Sequence, residues 1–264
     1  MIKVRDITSL LEEIAPLHYQ EHYDNSGLQV GDWEEEVRGC LVCLDVTEEI
    51  IDEAVALGCN MILSHHPIIF FGLKHLLGKT HSERVVEKAI RNNIILYASH
   101  TNLDKSPKGV NYNLGKIFGL KDMHTLSPET SLGENVGLGV IGELEEEIPI
   151  IEFLLSVKEK LCLQVLKHSK CSYEKRVKRV ALCGGSGSEL YKVAMALKAD
   201  VYLTGEIKYP IYYEATENMI FVDIEHFESE YTICSLFVEI IKKKFPNFVV
   251  RIAQASKNPI KYLL

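Results

Sequence analysis

Short apolar runs of strand length recur along the chain, separated by stretches with helical periodicity. The runs are rich in aliphatic and β-branched residues and lie at 39–44, 60–64, 94–99, 136–141, 180–183, 200–203, 219–222 and 248–252. Helical patterns occur between most of them, at 7–15, 47–57, 82–92, 110–118, 150–160, 189–198, 209–217 and 229–244. A chain that alternates strands with helices in this way folds as an α/β protein with largely parallel or mixed sheets.

The length of 264 residues is compatible with one large domain or two closely joined ones. The regular pattern breaks at 121–139, where glycine, serine and proline become frequent. Residues with possible chemistry lie on both sides of this break, so the C-terminal segment is expected to return to the first domain. We therefore predict one α/β domain from 1–124 plus 225–264 and a second from 125–224.

Composition excludes several classes of protein. The hydrophobic fraction is 47%, mean hydropathy is +0.02, and the apolar runs fall short of the roughly 20 residues that span a bilayer. The net charge of −8 argues against nucleic-acid binding, which needs clustered Lys and Arg. The seven cysteines are scattered, and Cys40 and Cys43 fall inside an apolar run, which predicts reduced, mostly buried thiols and a cytoplasmic location.

Two adjacent histidines, His65 and His66, directly follow the predicted strand at 60–64. In open α/β sheets, ligand sites gather at the carboxyl ends of strands. Neighbouring residues of a strand point to opposite faces, so two metal ions, one per imidazole, fit better than a single shared ion. The alternative is structural, with one histidine ending the strand and the other buried and hydrogen-bonded.

His100 and Asp104 follow the next predicted strand, 94–99, in the same manner. Strand ends of one sheet can converge, and a carboxylate such as Asp104 is able to bridge two cations. The spacing alone is weak evidence for a metal site, because Asp104 could equally form an Asx turn or a helix cap.

His226 and Glu230 follow the apolar run at 219–222 and are four residues apart. This spacing places both side chains on one face of a helical turn, whereas Glu228 points elsewhere. An imidazole with a carboxylate suits Zn, Mn or Fe, and the absence of thiolates argues against a structural zinc site. Ser229 could instead serve as the N-cap of the helix that follows.

A glycine-rich turn lies between the strand at 180–183 and the helix from 189, and consists of Gly184, Gly185, Ser186 and Gly187. Such a turn exposes backbone N–H groups at the start of a helix and can bind a phosphate. A tight turn without a ligand is the alternative. Glu206, after the strand at 200–203, is predicted either to contact the same substrate or to cap a helix.

Six motifs, taken in this order, resemble the Nif-three-like family, whose bacterial members are often labelled GTP cyclohydrolase I type-two homologs. They are Asp24 to Gly31, Ser64 to Pro67, His100 to Asp104, Gly184 to Gly187, Thr204 to Glu206 and His226 to Glu230. The resemblance spans nearly the whole chain. It corresponds to the short form, because the segment 119–180 is too brief to hold the inserted domain of longer members.

The resemblance implies two interlinked α/β domains with mixed sheets and a dinuclear metal centre. The implied ligands of the two divalent ions are His65, His66, Asp104, His226 and Glu230. His100 matches a nearby site histidine. The implied assembly is a toroidal homohexamer whose metal sites face an interior cavity.

This sequence departs from the family pattern at two places. Glu225 stands where the family usually has Gly before the last histidine motif, and it could add a carboxylate near the metals or point away. Tyr209 and Pro210 occupy the region where many members have a His, which puts a substrate role of that His in doubt.

The sequence is compatible with two classes of function. One is a metal-dependent hydrolase of a nucleotide-like or phosphorylated small molecule, in which His100 or Glu225 moves a proton. The other is a non-catalytic, metal-dependent scaffold or regulatory partner. A fold and a metal pair support many reactions, so the resemblance alone does not choose between them.

Overall fold

Strands and helices alternate through the computed structural model, which describes residues 1–216 and 218–263. The strands are β1 Gly27–Val30, β2 Cys40–Cys43, β3 Met61–Ser64, β4 Ile95–Ala98, β5 Lys121–Pro128, β6 Gly137–Pro149, β7 Lys167–His168, β8 Arg176–Ser186, β9 Val201–Gly205, β10 Ile220–Asp223 and β11 Val250–Ile252. The α-helices are α1 Val4–Glu12, α2 Glu48–Ala56, α3 His81–Arg91, α4 Thr101–Asp104, α5 Val110–Phe118, α6 Ile150–Lys160, α7 Tyr191–Ala196, α8 His226–Glu230 and α9 Ile233–Lys244. Short 3-10 helices cover Leu17–Tyr19, Ser188–Leu190 and Tyr209–Glu214. Within the described residues, no helix combines the length and the hydropathy needed to cross a membrane.

The first compact unit comprises Met1–Leu103 and Ile233–Pro259 and is built on a mixed five-stranded sheet. The strand order is β1-β4-β3-β2-β11, and only the pair β1 and β4 is antiparallel. Every residue of β2, β3 and β4 is buried, as expected for parallel strands covered on both faces. Because Ser64 pairs with Ala98, β3 and β4 end level with each other. Side chains that leave these two strand ends therefore start from neighbouring positions.

The second compact unit comprises Asp104–Thr232 and Ile260–Leu264 and contains a mixed six-stranded sheet. Its strand order is β5-β6-β8-β9-β10-β7, with β8, β9 and β10 parallel and the outer pairs antiparallel. Val180 and Leu182 of β8 belong to one apolar core, while Ala181 belongs to another. Successive strand residues point to opposite faces, so this sheet has a core on each side.

These bounds differ from the expected division into 1–124 with 225–264 and 125–224, because residues 104–124, 225–232 and 260–264 belong to the second unit. The segment 121–139, expected as a seam, contains β5 and the start of β6, which pair with each other antiparallel. Gly137 has φ 147°, and a Cβ there would overlap the carbonyl oxygen of Ser127. The glycine therefore permits close strand pairing and does not mark a linker.

Three predicted helices differ in the structure. The helix expected at 189–198 is shortened to α7 after a 3-10 turn, and the one expected at 209–217 is a 3-10 helix as far as Glu214. Glu217 lies outside the described residues. The helix expected at 229–244 starts earlier, with α8 at His226, and α9 is a separate helix. Ser229 is consequently inside α8, where its hydroxyl donates to the His226 carbonyl at 2.8 Å, and the N-cap alternative is wrong.

All seven cysteines are free thiols. Cys40 and Cys43 are fully buried in β2, and burial raises the pKa of both thiols well above the ordinary value. A buried thiol with a raised pKa is neutral and unreactive at neutral pH. The interpretation of this Cys-x-x-Cys pair as part of the core agrees with the structure.

Candidate metal-binding residues

The paired histidines leave β3 where the chain turns. The N–H groups of His65 and His66 both donate to the carbonyl of Leu44, at 3.2 and 3.0 Å, and the Ser64 hydroxyl donates to the His66 carbonyl at 2.8 Å. The two residues are therefore outside the strand, and the alternation that would send their side chains to opposite faces ends before them. Their ring centroids are 5.0 Å apart.

His100 joins this pair from the end of β4. Its ring centroid lies 5.2 Å from that of His65 and 5.3 Å from that of His66. Each of the three imidazoles offers a nitrogen, and these three atoms all lie within 4.8 Å of one another. The convergence of β3 and β4 expected from the sequence is thus observed, and it produces a set of three histidines inside the first unit.

The Nδ1 atom of each of these imidazoles lies close to an oxygen atom. The pairs are His65 with the Ser99 carbonyl at 2.8 Å, His66 with Asp45 Oδ1 at 2.7 Å and His100 with Asp24 Oδ1 at 2.8 Å. A carbonyl or carboxylate oxygen only accepts, so Nδ1 carries the proton in every case. Nε2 then carries the lone pair, which is the tautomer that binds metals and the arrangement typical of metal-ligating histidines.

Asp24 is the most strongly anchored of these acceptors. Besides His100, it accepts hydrogen bonds from the hydroxyl and the backbone N–H of Thr101 and from the backbone N–H of Asn25. Burial by itself would raise the pKa of Asp24, but the hydrogen bonds from His100 and Thr101 outweigh it and hold the pKa well below its usual range. Asp24 is therefore an anion at neutral pH and fixes the His100 ring.

In the second unit, His226 and Glu230 lie on one side of α8. His226 Nε2 is 3.0 Å from Glu230 Oε2, as the four-residue spacing predicts. The Nδ1 of His226 lies 2.9 Å from Glu206 Oε1, so each ring nitrogen of this histidine has a carboxylate oxygen beside it. Glu206, predicted as a substrate contact or a helix cap, is thus the hydrogen-bond partner of His226. A contact with substrate stays a prediction.

Asp104 lies in the second unit close to Glu230. One carboxylate oxygen of each residue falls within 4.8 Å of the other. Burial raises the pKa of the Cys183 thiol, and the negative charges of Asp104 and Glu230 raise it further. Two carboxylates that approach each other repel unless protons or cations lie between them, so this pair suits a cation.

Glycines make room for Glu230 and His226. Gly185 has φ 61°, and a Cβ there would overlap Glu230 Oε1. A Cβ at Gly205 would lie 3.0 Å from the Cα of His226. Both positions need a residue without a side chain because another chain segment passes directly over them. We call Gly185 and Gly205 the glycine cradle.

The N–H donors of the glycine-rich turn are engaged within the protein. The Gly184 N–H donates to Asn111 Oδ1 at 2.9 Å, the Gly185 N–H to Ser229 Oγ at 3.0 Å and the Gly187 N–H to Thr204 Oγ1 at 3.1 Å. These donors are the ones a phosphate would have used. The observed role of the glycines is close packing against α8, and phosphate binding by Gly184 to Gly187 stays a prediction.

Asp24 and Asp45 are partners of the site histidines that the sequence did not predict. Asp24 stands in a quoted motif, but nothing local shows that its carboxylate reaches a ring 76 residues later in the chain. For Asp45, the signal was its position directly after the apolar run at 39–44, next to the strand that leads to His66.

Glu225, predicted as a catalytic group, pairs with Lys167 at 3.0 Å.

Comparisons with known proteins agree with this description. The profile of the family described as Duf34/NIF3 (NGG1p interacting factor 3) matches residues 2–259. A Campylobacter jejuni protein named GTP cyclohydrolase 1 type 2 homolog is 34% identical over 267 residues, with 99% of this chain and 100% of the relative covered. A Clostridium perfringens protein of the same name is 31% identical over 264 residues, with 99% and 100% covered.

The fold also agrees with that of a solved structure. The crystal structure of a Bacillus cereus protein related to NIF3 superimposes with a TM-score of 0.91 at 25% identity, covering 100% of this chain and 99% of that one. The whole-length match to relatives of similar size fits the short form without an inserted domain. The chain is therefore a member of the Duf34/NIF3 family, with the family's mixed α/β fold.

Proposed function

We propose that this protein binds two divalent metal ions per chain through His65, His66, Asp104, His226 and Glu230. The observation that carries the proposal is the shared arrangement of the imidazoles, each of which has Nδ1 within hydrogen-bond distance of an oxygen, as metal-ligating histidines do, together with the 3.0 Å approach of His226 Nε2 to Glu230 Oε2. The donor set of nitrogen and carboxylate oxygen suits Zn, Mn or Fe. The glycine cradle, which a Cβ would fill, supports a fixed placement of Glu230.

We propose further that the bound ions serve the hydrolysis of a nucleotide-like or phosphorylated small molecule. The names of the relatives, GTP cyclohydrolase 1 type 2 homologs, support this class of substrate. When bound, divalent cations would polarise a substrate oxygen and lower the pKa of a water molecule. Asp24 holds a proton on Nδ1 of His100, so His100 Nε2 is positioned to accept or return a proton.

Metal analysis followed by a substrate screen tests this function. Elemental analysis of the purified protein should give about two divalent ions per chain, and turnover of nucleotides or phosphoesters should require them. Glu230→Ala should abolish turnover while the protein stays folded, whereas the matched variant Glu228→Ala in the same helix should keep it. Less than one ion per chain, with none regained from Zn, Mn or Fe, would refute the proposal.

A non-catalytic role is the second candidate, because the family is described as an interacting factor. In that case the metals would stabilise a surface that a partner recognises. Glu230→Ala would then weaken partner binding only to the extent that loss of the metals disturbs that surface or the assembly. Absence of turnover in the metal-loaded protein across the screen would favour this alternative.

A toroidal homohexamer is proposed as the assembly of either candidate. Light scattering coupled to gel filtration measures the mass in solution directly. A mass near six times 29.9 kDa is expected. A monomer or dimer at micromolar concentration would contradict it.

A further inference from the structure

A buried carboxylate, Asp223, adjoins the second unit's candidate ligands without being one of them. It ends β10 and is 1% exposed. Its Oδ1 accepts from the N–H of Glu225 at 3.0 Å, and its Oδ2 accepts from the N–H of Ile207 at 3.3 Å. Lys167 Nζ lies 2.9 Å from the same Oδ2. One buried group therefore holds two separate backbone segments.

Those two segments are the ones that carry the His226 and Glu206 pair. Ile207 follows Glu206, and Glu225 precedes His226. Glu206 and Glu225 both have φ 58°, in the left-handed region that residues with a Cβ disfavour. Such conformations persist only where the surroundings hold them. The hydrogen bonds to Asp223 supply that restraint next to each strained residue.

The side chain of Glu225 adds a second restraint. Its Oε1 lies 3.0 Å from Lys167 Nζ, and it accepts a hydrogen bond from Tyr262. Burial and the Glu225 carboxylate raise the pKa of Tyr262 to about 12, so its phenol remains a donor at neutral pH. Partial burial alone would lower the pKa of Lys167, but Asp223 and Glu225 outweigh it and keep the ammonium charged. We call Lys167, Asp223, Glu225 and Tyr262 the Asp223 network.

We propose that the Asp223 network is a positioning device that fixes His226 and Glu206 so that His226 Nε2 is presented to a divalent cation. Lys167, Asp223 and Glu225 act through the backbone on either side of the pair, without contact with the cation. The cation part of this inference rests on the proposed function. The orientation of His226 and Glu206 can be measured in the metal-free protein.

The test compares Lys167→Met and Glu225→Gly with wild type. Lys167→Met removes the charge that bridges two carboxylates, at a side chain that is 50% exposed, so the fold should persist. Glu225→Gly keeps the left-handed backbone accessible but removes the side-chain restraint. Lys167→Arg should restore the pairing. Lys170→Met and Glu174→Gln, at exposed positions of the same segment, are matched controls.

Three readouts are needed: zinc affinity by chelator competition, the His226 ring ¹⁵N shifts in metal-free protein, and amide hydrogen exchange across 226–230. Lys167→Met and Glu225→Gly should weaken zinc binding about tenfold, the lower end for residues that orient ligands. They should also shift the His226 ring signals towards a mixture of tautomers and speed exchange in α8. Lys167→Arg should recover most of each change.

The inference is overturned if Lys167→Met lowers the melting temperature but leaves the His226 signals and α8 exchange at wild-type values, because the network would then be structural only. It is also overturned if Glu225→Gly matches wild type in all three readouts. If wild type itself binds no zinc, the proposed function fails, while the ring shifts and exchange still decide whether the network positions His226.

Discussion

In the first unit, three histidines leave the ends of two neighbouring parallel strands, whereas in the second unit His226 and Glu230 lie on one helical turn packed against two glycines. The first arrangement follows from the register of β3 with β4, which brings the strand ends level. The second depends on glycines, which have no side chain, and on strained backbone at Glu206 and Glu225. Similar donor atoms are thus held by sheet geometry in one unit and by close packing in the other.

This difference indicates which substitutions should disturb the donor atoms of each unit. A strand end is fixed by many backbone hydrogen bonds, so a change in the first unit should act mainly through the side chain that is altered. A helix turn seated on glycines has little tolerance for added atoms, because packed interiors cannot absorb even a methyl group freely. Substitutions that leave every ligand intact should therefore be most damaging in the second unit.

The largest expected effect comes from Gly185→Ala. The new Cβ would overlap Glu230 and would have to adopt φ 61°, so unfolding free energy should fall by about 2 to 4 kcal/mol. Zinc affinity should fall as well, because Glu230 must move. Urea unfolding and zinc titration measure both. Gly72→Ala, with no atom within 4 Å of the added Cβ, should behave as wild type. If Gly185→Ala has the stability and zinc affinity of wild type, close packing of Glu230 against the glycine cradle is refuted.

The next effect is expected from His65→Ala in the first unit. Loss of one ligand should weaken zinc binding by at least about 100-fold, since loss of a residue that merely orients a ligand already costs 10- to 100-fold. Competition with a chromogenic chelator measures this. His124→Ala, at an exposed histidine of β5, should leave affinity unchanged. If His65→Ala binds zinc as tightly as His124→Ala and wild type, His65 is not a metal ligand.

Much of the first unit could be predicted from the sequence, because apolar strands and the polar residues that follow them are local signals. These signals predict His65, His66 and His100 as site residues. The second unit needed information that one sequence does not carry. Nothing in the sequence shows that Gly185 lies over Glu230, that Glu206 reaches His226 or that Asp223 accepts a hydrogen bond from Ile207, since these contacts join positions about 16 to 45 residues apart.

Asp24→Asn should have an intermediate effect. The amide cannot replace the charge that fixes His100, so turnover should fall by about 10-fold. Metal-free protein should also lose about 2 kcal/mol of unfolding free energy at pH 7, the value of hydrogen bonds to a charged group. The lowered pKa of Asp24 means that its contribution is present above its ordinary pKa of 3.8 and is lost as pH falls below it.

The pH dependence provides the control for this variant. Urea unfolding in the presence of a chelator should show a stability gap between wild type and Asp24→Asn that is constant from pH 7 to about 5 and narrows as pH falls below 3.8. A gap of the same size at every pH would mean that the variant acts by packing and not through the charge of Asp24.

The smallest effects are expected from a matched pair, Asp45→Asn and Glu206→Gln. Each carboxylate accepts from the Nδ1 of one candidate ligand, His66 or His226, and the two side chains are similarly exposed, at 53% and 56%. Exposed charges interact weakly because water screens them, so each variant should lose no more than about 10-fold in zinc affinity. If sheet register and the glycine cradle fix the two ligands equally well, the losses should agree within a factor of about two. A larger loss of zinc affinity for Glu206→Gln than for Asp45→Asn would mean that His226 depends more on its carboxylate partner than His66 does. A larger loss for Asp45→Asn would mean that the strand end holds His66 less firmly than the glycine cradle holds His226.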